Sequence, residues 1–494
     1  MTDSSKNKKN LKRTVIEPLT RVEGHGKVVL LQDENNRIKQ VRFHVVEFRG
    51  FEKFIQGRPY WELPVLVQRL CGICPVSHHL AAAKATDMLV GAQKITPTAE
   101  KIRRLMHFGQ TLQSHALHLF HLSAPDLLFG FDDEVNHRNI IGVINDHPEI
   151  ARQGVLLRKF GQEVIRHTAG KRVHGTGAVP GGVNKSLTIA ERDELLGQCD
   201  QVIEWGIGAV ALVKRIYLDK SDYHGEFATI SSNMLSLSGQ NGELEIYDGT
   251  LRAKDAAGGT IFDGVDPCDY SNYLGEEVRS WSYMKFPFIR DLGTEAGWYR
   301  VGPLARVNNC DRITTALAEK ERLEFKAIAG ESLIVQSTLA YHWARMIELL
   351  YCAESIKELL LDDDIHGSEL INKGERQRLG FGVIEAPRGT LFHHYEVDDD
   401  GLVERANLIV STTQNNQAIN ESIRQVANHY LDGQELTEPL LNQIEVAIRA
   451  YDPCLSCATH ALGKMPLQIE LVDAHGSVVD RIEKRTSGDI NHHC

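Results

Sequence analysis

The chain has 494 residues, of which 42% are hydrophobic and 24% are charged, and its formal net charge is −11. This composition is that of an ordinary globular protein, and the acidic balance argues against nucleic-acid binding, which normally requires a basic face. The sequence contains no apolar run near the roughly 20 residues that a membrane-crossing helix needs. The length corresponds to about three domains, although a helical enzyme of this size can share one core.

The N-terminal segment predicts a tail followed by a small β element. Residues 1–13 are polar and basic, with no apolar stretch behind them, so we expect a disordered tail and no secretory signal. Residues 26–48 predict a β-hairpin, because apolar residues alternate with polar ones on both sides of the turn at 33–36.

Helical spacing dominates the rest of the chain. Thr96-Pro97 is a helix start, since proline fits the first turn, and apolar residues follow at helical spacing. Thr188 and Glu191 form a capping box that opens a second helix, to about Tyr217. A third long helix is predicted over residues 343–360.

Shorter elements complete the prediction. Two helices at about 417–431 and 440–451 lead to the C-terminal region, and the Gly- and Asp-rich stretch 238–266 predicts an excursion of small strands. Residues 467–471 and 478–482 predict a terminal hairpin. The expected fold is therefore mainly α (α+β), with small antiparallel β elements at its edges.

Two cysteine pairs are the strongest chemical signal. They are Cys71-Gly72-Ile73-Cys74 and Cys454-Leu455-Ser456-Cys457, 380 residues apart (454 − 74). Two such pairs suggest one buried four-thiolate site, whose soft ligands narrow the metal to zinc, an iron–sulfur cluster, copper(I), or redox-active nickel and iron. A single C-x-x-C is also compatible with a redox dithiol or half a zinc site.

Two alternatives are disfavoured by spacing and context. A structural zinc ribbon usually brings its pairs within about 20 residues, and nothing marks a secreted chain in which disulfides would persist. Five further cysteines are assigned to packing or to the surface, and they are Cys199, Cys268, Cys310, Cys352 and Cys494. Cys268 follows an Asp-Pro, as Cys454 does, but has no partner three residues on.

The sequence around the cysteines resembles the paired signatures of the nickel–iron hydrogenase large subunit. The signatures are R-x-C-G-x-C-x-x-x-H at 69–78 and D-P-C-x-x-C-x-x-H at 452–460, and segments 20–25, 48–52 and 385–390 agree in order. Segments 47–54, 281–287 and 411–416 are most similar to the cytoplasmic, bidirectional, NAD-linked branch. The resemblance implies a long central helix bundle, a fold shared with the respiratory complex I core subunit, in which the two cysteine loops meet.

The resemblance assigns roles to the thiolates and to three residues above them. Cys71 and Cys454 would bind nickel terminally, whereas Cys74 and Cys457 would bridge nickel to an iron that carries carbonyl and cyanide ligands. Arg388 would lean over the metals as a catalytic group, although a guanidinium is normally protonated. Pro387 and Thr412 would contact the diatomic ligands of the iron.

Further residues match the proton relay, the magnesium site and a partner of the bridging sulfur. Glu23 would relay protons beside the terminal thiolate of Cys454. Magnesium would be held by the family's oxygen and imidazole ligands, here Glu52, the Leu408 carbonyl and His460. His78 would hydrogen-bond to the bridging sulfur of Cys74.

One departure from the family pattern concerns the segment above the metals. Membrane-bound uptake members often have an aspartate beside the histidine that corresponds to His115, and this chain has Ser114. No role is carried over to Ser114. His115, His118 and His121 step by three along the helix and are assigned to the core or to an interface.

The resemblance also implies processing at the C-terminus. Catalytic members lose a C-terminal extension after the final histidine once nickel is loaded. The predicted cleavage lies between His460 and Ala461, so that 14–460 is the catalytic unit and 461–494 is the extension. A maturation endopeptidase and nickel-insertion factors are implied as partners.

The implied activity is reversible hydrogen oxidation coupled to NAD reduction in the cytoplasm. Residues 177–182 lack the G-x-G-x-x-G spacing of a dinucleotide site, so NAD is expected on a partner. Electrons would pass through an iron–sulfur small subunit to an FMN-containing diaphorase. The alternatives are a deazaflavin- or NADP-linked hydrogenase, a hydrogen sensor, and a non-catalytic complex I relative, which would lack the four cysteines.

Overall fold

The computed structural model describes residues 12–330 and 333–459 and, beyond them, the backbone of three strands. The helices are α1 Phe51–Phe54, α2 Leu63–Leu66, α3 Pro75–Leu89, α4 Pro97–Leu117, α5 Ala124–Phe129, α6 Ile140–Asp146, α7 Pro148–Ala169, α8 Ile189–Asp219, α9 Ser221–Glu226, α10 Tyr270–Tyr273, α11 Gly293–Ala296, α12 Pro303–Asn309, α13 Ala316–Ala327, α14 Ala340–Leu360, α15 Ser411–Gln414, α16 Asn416–Val426 and α17 Glu438–Ala450. The strands are β1 Lys12–Ile16, β2 Gly26–Gln32, β3 Ile38–Val45, β4 Ala178–Val179, β5 Gly182–Val183, β6 Asn233–Ser238, β7 Thr250–Lys254, β8 Thr260–Val265, β9 Leu274–Glu277, β10 Phe286–Ile289, β11 Tyr299–Arg300, β12 Leu379–Ala386, β13 Gly389–Val397, β14 Val403–Ile409, β15 Leu467–Val472, β16 Val478–Lys484 and β17 Ile490–His493.

The predicted N-terminal hairpin is present and gains a third strand. β2 and β3 pair antiparallel with Val28 opposite Phe43, and both side chains are buried. β1 pairs with the other edge of β2 and begins at Lys12, so strand structure starts inside the segment that was predicted to be a tail. Residues 1–11 lie outside the described part of the chain.

The three long helices predicted from the sequence are confirmed. The Thr96 side chain accepts a hydrogen bond from the amide of Ala99 at the start of α4, and both halves of the Thr188–Glu191 capping box are formed at the start of α8. Among the helices of 12 or more residues, α3, α7 and α13 were missed. Almost all of α3 is buried, so it lacks the polar face that makes a helix recognisable.

The long helices form the central bundle, in which α4 packs against α7 and α14, and α14 packs against α8. The contact between α4 and α7 is close because each helix contributes a glycine. A Cβ at Gly161 would lie 2.5 Å from the Gly109 carbonyl oxygen, and a Cβ at Gly109 would lie 2.8 Å from Val164 Cγ1. Larger side chains would push the two helices apart.

The strand excursion forms a four-stranded sheet of order β11-β6-β7-β8, which begins at Asn233 and therefore slightly before the predicted 238. A separate antiparallel sheet, β12-β13-β14, carries the segment 385–390 at its first turn and Leu408 in its last strand. This second sheet packs on α3, the helix that follows the first cysteine pair.

The C-terminal elements agree with the sequence prediction. The first short helix is α16, which continues as a π-helical turn to Leu431, and α17 ends immediately before the second cysteine pair. The terminal hairpin is formed by β15 and β16, and β17 adds a third strand. Within the described residues, every helix is too short or too polar to cross a membrane.

Candidate metal centre

The two cysteine pairs meet in one buried cluster. The four sulfur atoms of Cys71, Cys74, Cys454 and Cys457 all lie within 4.8 Å of one another. The sulfur of Cys454 is 3.2 Å from that of Cys71 and 2.8 Å from that of Cys457. None of the four side chains is more than 5% exposed. The fold therefore joins two sites 380 residues apart (454 − 74) into one four-sulfur ligand set.

The first pair lies on the turn that leads into α3. Cys74 precedes Pro75, the first residue of the helix, and the Cys71 sulfur accepts hydrogen bonds of 3.2 Å from the amides of Ile73 and Cys74. Two amide donors stabilise negative charge on that sulfur. Gly72, between the two buried cysteines, is exposed, so this loop is also where the cluster comes close to the surface.

The second pair is tied to the N-terminal segment by a parallel bridge between Glu23 and Cys454. The amide of Leu455 donates to the Glu23 carbonyl at 3.0 Å. Gly24 has a φ of 82°, and a Cβ there would come within 2.8 Å of the Ser456 nitrogen. Only glycine permits this approach, which brings residue 23 beside the sulfur of residue 454.

The Glu23 carboxylate contacts the cluster directly. Its Oε2 atom lies 3.0 Å from the Cys454 sulfur and accepts a hydrogen bond of 3.2 Å from the Ser456 amide. The Ser456 hydroxyl donates to the other carboxylate oxygen. Ser456 therefore orients the carboxylate so that one oxygen faces the thiol, which is the geometry that a proton relay requires.

Burial favours the protonated form of two of the four thiols, whereas hydrogen bonds with the neighbouring sulfurs lower the pKa of Cys74. Burial raises the pKa of Cys454 and Cys457 well above the ordinary value of a thiol, because charged sulfur is not solvated there. A metal ion that binds the thiolates must therefore displace protons. Four soft donors in a dry site fit nickel and iron, and they also fit the other thiolate-binding metals left open by the sequence.

Arg388 lies above the cluster and is fixed by Asp452. Its Nε donates to the Asp452 carbonyl at 2.6 Å, and its Nη2 donates to the Asp452 carboxylate at 3.0 Å. Burial would lower the pKa of Arg388, but Asp452 and the nearby cysteine sulfurs outweigh burial and raise the pKa well above its ordinary value. The guanidinium is therefore a permanent cation beside the sulfurs.

The other residues assigned around the iron line the same small cavity, which is bounded by Cys74, His78, Pro387, Thr412 and Cys454 among others. Thr412 Oγ1 accepts a hydrogen bond of 2.9 Å from the Cys454 amide, so it also holds the second cysteine loop. His78 hydrogen-bonds to the Cys74 sulfur, and its Nδ1 lies 3.1 Å from His393 Nε2.

Glu52 lies in a separate buried pocket that contains a protein cation. Its Oε1 accepts hydrogen bonds from the Leu408 amide at 2.9 Å and from Lys285 Nζ at 3.2 Å. Lys285 Nζ also lies 3.2 Å from both Glu276 and Asn407. Two carboxylates thus face one ammonium, which leaves a net negative charge among hard oxygen donors that suit magnesium.

His460 and Ala461 lie outside the described residues, but the chain is placed up to the preceding residue. The Gly50 amide donates to the Thr459 carbonyl at 3.4 Å, and the Arg49 amide donates to the Thr459 hydroxyl at 3.3 Å. Because Gly50 is two residues before Glu52, the described chain ends next to the Glu52 pocket.

The histidines near Ser114 are core residues, as the sequence predicted. His115 is fully buried and its Nε2 lies 3.0 Å from Glu348, His118 is buried against His342, and His121 is half-buried. Ser114 is completely buried, and its hydroxyl has no hydrogen-bond partner among the described residues.

The four described cysteines outside the two pairs contribute nothing to the cluster. Cys199, Cys310 and Cys352 are buried free thiols, and Cys268 is half-buried. Cys494 lies outside the described residues. Burial raises the pKa of Cys199 and Cys310 to about 12, so both thiols stay protonated.

Sequence analysis missed three residues that the structure brings into the site. Asp452 belongs to the D-P-C signature, so the signature could have drawn attention to it. In the structure Asp452 forms an ion pair with Arg388. Lys285 lies in one of the segments quoted for the resemblance, but its partners come from residues 52, 276 and 407. Ser456 stands between the last two cysteines, and no local pattern marks its contact with Glu23.

Comparisons with known proteins agree with this geometry. A family model described as nickel-dependent hydrogenase matches residues 49–129 and 245–460, and one described as HoxL-like matches residues 13–48. The NAD-reducing hydrogenase HoxS subunit beta of Cupriavidus necator is 46% identical over 95% of this chain and 99% of its own length. The matching chain of the F420-non-reducing hydrogenase of Methanothermobacter marburgensis is 41% identical over 95% of this chain and 100% of its own length.

Solved structures give the same result. The structure of an NAD+-reducing [NiFe]-hydrogenase in the H2-reduced state is 56% identical, with a TM-score of 0.89 over 91% of this chain and 99% of that one. The Ni-Fe-Se hydrogenase of D. vulgaris Hildenborough shares the fold at 23% identity, with a TM-score of 0.74 over 91% of this chain and 100% of that one. The family model covers more than half of the chain, and the curated relatives cover nearly all of it. The four-sulfur cluster thus belongs to a member of the nickel-dependent hydrogenase family, and the resemblance drawn from the cysteine signatures is confirmed.

Proposed function

We propose that this chain is the catalytic large subunit of a reversible nickel–iron hydrogenase whose electrons pass through partner subunits to NAD. One observation carries the proposal: four buried cysteine sulfurs within 4.8 Å of one another, with a carboxylate on one side and a guanidinium above. A nickel–iron centre bound there supplies the Lewis acid and the electron acceptor for heterolytic cleavage of hydrogen.

The thiolates divide into two types. Cys71 and Cys454 would bind the nickel alone, and Cys74 and Cys457 would be shared between nickel and iron. The 3.0 Å contact between Glu23 and the Cys454 sulfur supports this division. A sulfur that binds only one metal can still exchange a proton with a neighbouring carboxylate. The carbonyl and cyanide ligands of the iron would lie in the cavity lined by Pro387 and Thr412.

Glu23 and Arg388 have different roles in the chemistry. Glu23 receives the proton released at Cys454 and passes it away from the dry site, with Ser456 keeping its orientation. Arg388 remains protonated because Asp452 and the sulfurs raise its pKa. It therefore acts on the reacting atoms as a fixed cation and hydrogen-bond donor, and Glu23 is the group that exchanges protons.

Magnesium would be held by Glu52, by the Leu408 carbonyl and by His460. The convergence of Glu52 and Glu276 on Lys285 supports a cation site there. The end of the described chain at Thr459, next to Gly50, supports the placement of His460.

Processing would cut the chain between His460 and Ala461. The family model ends its match at residue 460, which supports 14–460 as the catalytic unit and 461–494 as a removable extension. A maturation endopeptidase and nickel-insertion factors are the partners that this step requires. Intact-mass analysis tests it, and an active chain that retains residues 461–494 would contradict it.

The surface around Gly72 is the site where an iron–sulfur small subunit would dock. Gly72 is exposed between two buried cysteines, and the contacts of this loop include two arginines. Arg69 contacts His174 at 3.2 Å, His174 contacts the Cys71 carbonyl at 3.1 Å, and Arg49 contacts the Arg69 carbonyl at 3.5 Å. An electron would therefore cross only the loop around Gly72 to reach the small subunit.

NAD is the proposed final acceptor, through a diaphorase that binds FMN and NAD. The support is the 46% identity to a subunit of an NAD-reducing hydrogenase, above the 41% identity to the F420-non-reducing one. Because NAD is an intracellular coenzyme, the proposed location is the cytoplasm.

Co-production with the iron–sulfur and diaphorase subunits tests the function. We expect about one nickel per chain and hydrogen-dependent NAD+ reduction. Stoichiometric zinc in the active form would overturn the nickel–iron assignment, a deazaflavin acceptor would replace the NAD linkage, and co-purification with a histidine kinase would indicate a sensor.

A further inference from the structure

Arg306, in the short helix α12, donates hydrogen bonds to two carboxylates and to the backbone that leads into Arg388. On one side, its guanidinium donates to Glu385 Oε2 at 2.7 Å, to the Ala386 carbonyl at 2.9 Å and to the Pro387 carbonyl at 3.1 Å. These are the three consecutive residues before Arg388. The side chain is 1% exposed, so water does not compete for these bonds.

The other side of Arg306 is anchored in the bundle. Its Nε and Nη2 each donate to Glu348 on α14 at 2.6 Å, and Glu348 also contacts His115 on α4 at 3.0 Å. This two-point contact fixes the plane of the guanidinium. The loop before Arg388 is therefore connected through one side chain to two long helices.

The backbone that leads into α12 makes a second contact with the same turn. Gly302 precedes α12 with a φ of 96°, and a Cβ there would lie 2.9 Å from the Arg388 carbonyl oxygen. A Cβ at Gly389 would lie 2.3 Å from Val301 Cγ2. Segment 301–306 thus packs closely against the turn 387–389.

We infer that Arg306 is a positioning residue that sets the placement of Pro387 and Arg388 over the four-sulfur cluster. The inference rests on the proposed function. Asp452 binds the Arg388 side chain, whereas Arg306 binds the backbone carbonyls of the two residues before Arg388. Catalytic groups must be held to within about 0.5 Å, and a misplacement of about 1 Å can cost a hundredfold in rate.

The substitution Arg306→Lys tests this role, because lysine keeps the charge but cannot reach five acceptors. Arg300→Lys is the matched control: Arg300 is equally buried and bonds to Ser232 and to Gln336, away from the turn. Both variants are expected to lose stability. Only Arg306→Lys should loosen the turn.

Three measurements separate positioning from stability. Hydrogen–deuterium exchange on the metal-free chain should accelerate in segment 385–391 for Arg306→Lys and not for Arg300→Lys. In the nickel-loaded complex, the stretching bands of the iron's diatomic ligands should shift in Arg306→Lys alone. Its hydrogen-oxidation kcat should fall about tenfold to a hundredfold below that of the control, with nickel content unchanged.

Equal exchange, bands and turnover in the two variants would overturn the inference and leave the proposed function intact. If Arg306→Lys does not fold, Glu348→Gln replaces it, since it removes one acceptor behind Arg306, and it must show the same band shift. A wild-type complex that contains nickel but has no hydrogenase activity would refute the proposed function instead, whatever the exchange data show.

Discussion

Two buried ligand sites lie close together in this chain, and they are built in different ways. The cysteine cluster collects four sulfur atoms, and burial disfavours the thiolate form of Cys454 and Cys457. The Glu52 pocket instead surrounds Lys285 with Glu52, Glu276 and Asn407, so that an ammonium of the protein already balances one of the two carboxylate charges.

The difference separates a site that depends on its metal from one that does not. The cysteine cluster lies beside one protein cation, Arg388, which is already paired with Asp452, so a metal must supply most of the positive charge that four thiolates need. The Glu52 pocket keeps a stable ion cluster through Lys285, and a divalent ion would only complete it. Catalytic power is expected from the first site and structural support from the second.

The largest expected effect comes from removing one thiolate. Cys454→Ser should abolish nickel binding and all hydrogenase activity, because Cys454 is one of the four clustered sulfurs and the one that Glu23 contacts. Metal analysis and hydrogen uptake measure this. Cys268→Ser is the control, since Cys268 also follows Asp-Pro but lies outside the cluster. Nickel retention by Cys454→Ser would contradict the assignment of the four-sulfur cluster as the nickel site.

Removing the protein cation should destabilise the second pocket. Lys285→Met leaves the buried Glu52 and the partly buried Glu276 without a cation, which should cost about 3–5 kcal/mol in the free energy of unfolding. Added magnesium should recover more stability in this variant than in the wild type. Chemical denaturation with and without magnesium measures both effects.

Lys214→Met provides the matched control for Lys285→Met. Lys214 also lies between two glutamates, Glu321 and Glu324, but Glu324 is 46% exposed, so the expected cost is at most about 1 kcal/mol. Equal losses of stability in the two variants would show that burial of the Glu52 pocket does not make its carboxylates depend on Lys285.

Changing the proton acceptor should affect rate and leave the metal in place. Glu23→Gln keeps the shape and can still accept from Ser456, but it cannot take the proton from Cys454. We expect kcat to fall about a hundredfold while nickel content stays at the wild-type value. Unchanged turnover would exclude Glu23 as the relay.

The smallest effect is a pH dependence of stability from His79, at the start of α3. Its Nδ1 donates to the Pro64 carbonyl at 2.6 Å and its Nε2 accepts from the Ala178 amide at 2.9 Å. Burial lowers the pKa of His79 from 6.5 to about 4. The neutral His79 side chain therefore contributes fully to the free energy of unfolding above pH 6.5. This contribution is lost as pH falls toward 4, and about 2 kcal/mol of it is gone at pH 5.

His79→Gln should flatten the acid side of the stability profile measured by denaturation between pH 8 and 4. His137 is a control with the opposite pH dependence. Asp146 and Asp133 raise its pKa, so any stability that it contributes is lost as pH rises. An unchanged acid slope in His79→Gln would show that other groups control acid stability.

The sequence was informative where chemistry or geometry is local. The cysteine signatures predicted the ligand set, and Thr96 and Thr188 predicted the starts of α4 and α8 to the residue. The tail was predicted to extend to residue 13, but pairing with β2 overrides the polar character of Lys12 and Arg13. Local composition cannot report a partner strand.

The remaining errors have a common physical origin in contacts between distant residues. Arg306 and Lys285 have ordinary local sequences, and their roles depend on acceptors from several separate elements. Helix α3 was missed because it is covered on nearly every side. The positions of His460 and Ala461 stay a prediction.

The separation of the two cysteine pairs along the chain has a consequence for biosynthesis. The first cysteine pair emerges from the ribosome 380 residues before the second (454 − 74), a delay of about 20 to 80 s at ordinary translation speeds. During that interval an early-bound ion would have only half of its ligands. Loading is therefore confined to the finished polypeptide, and a ribosome-stalled chain that ends before residue 454 should carry no nickel.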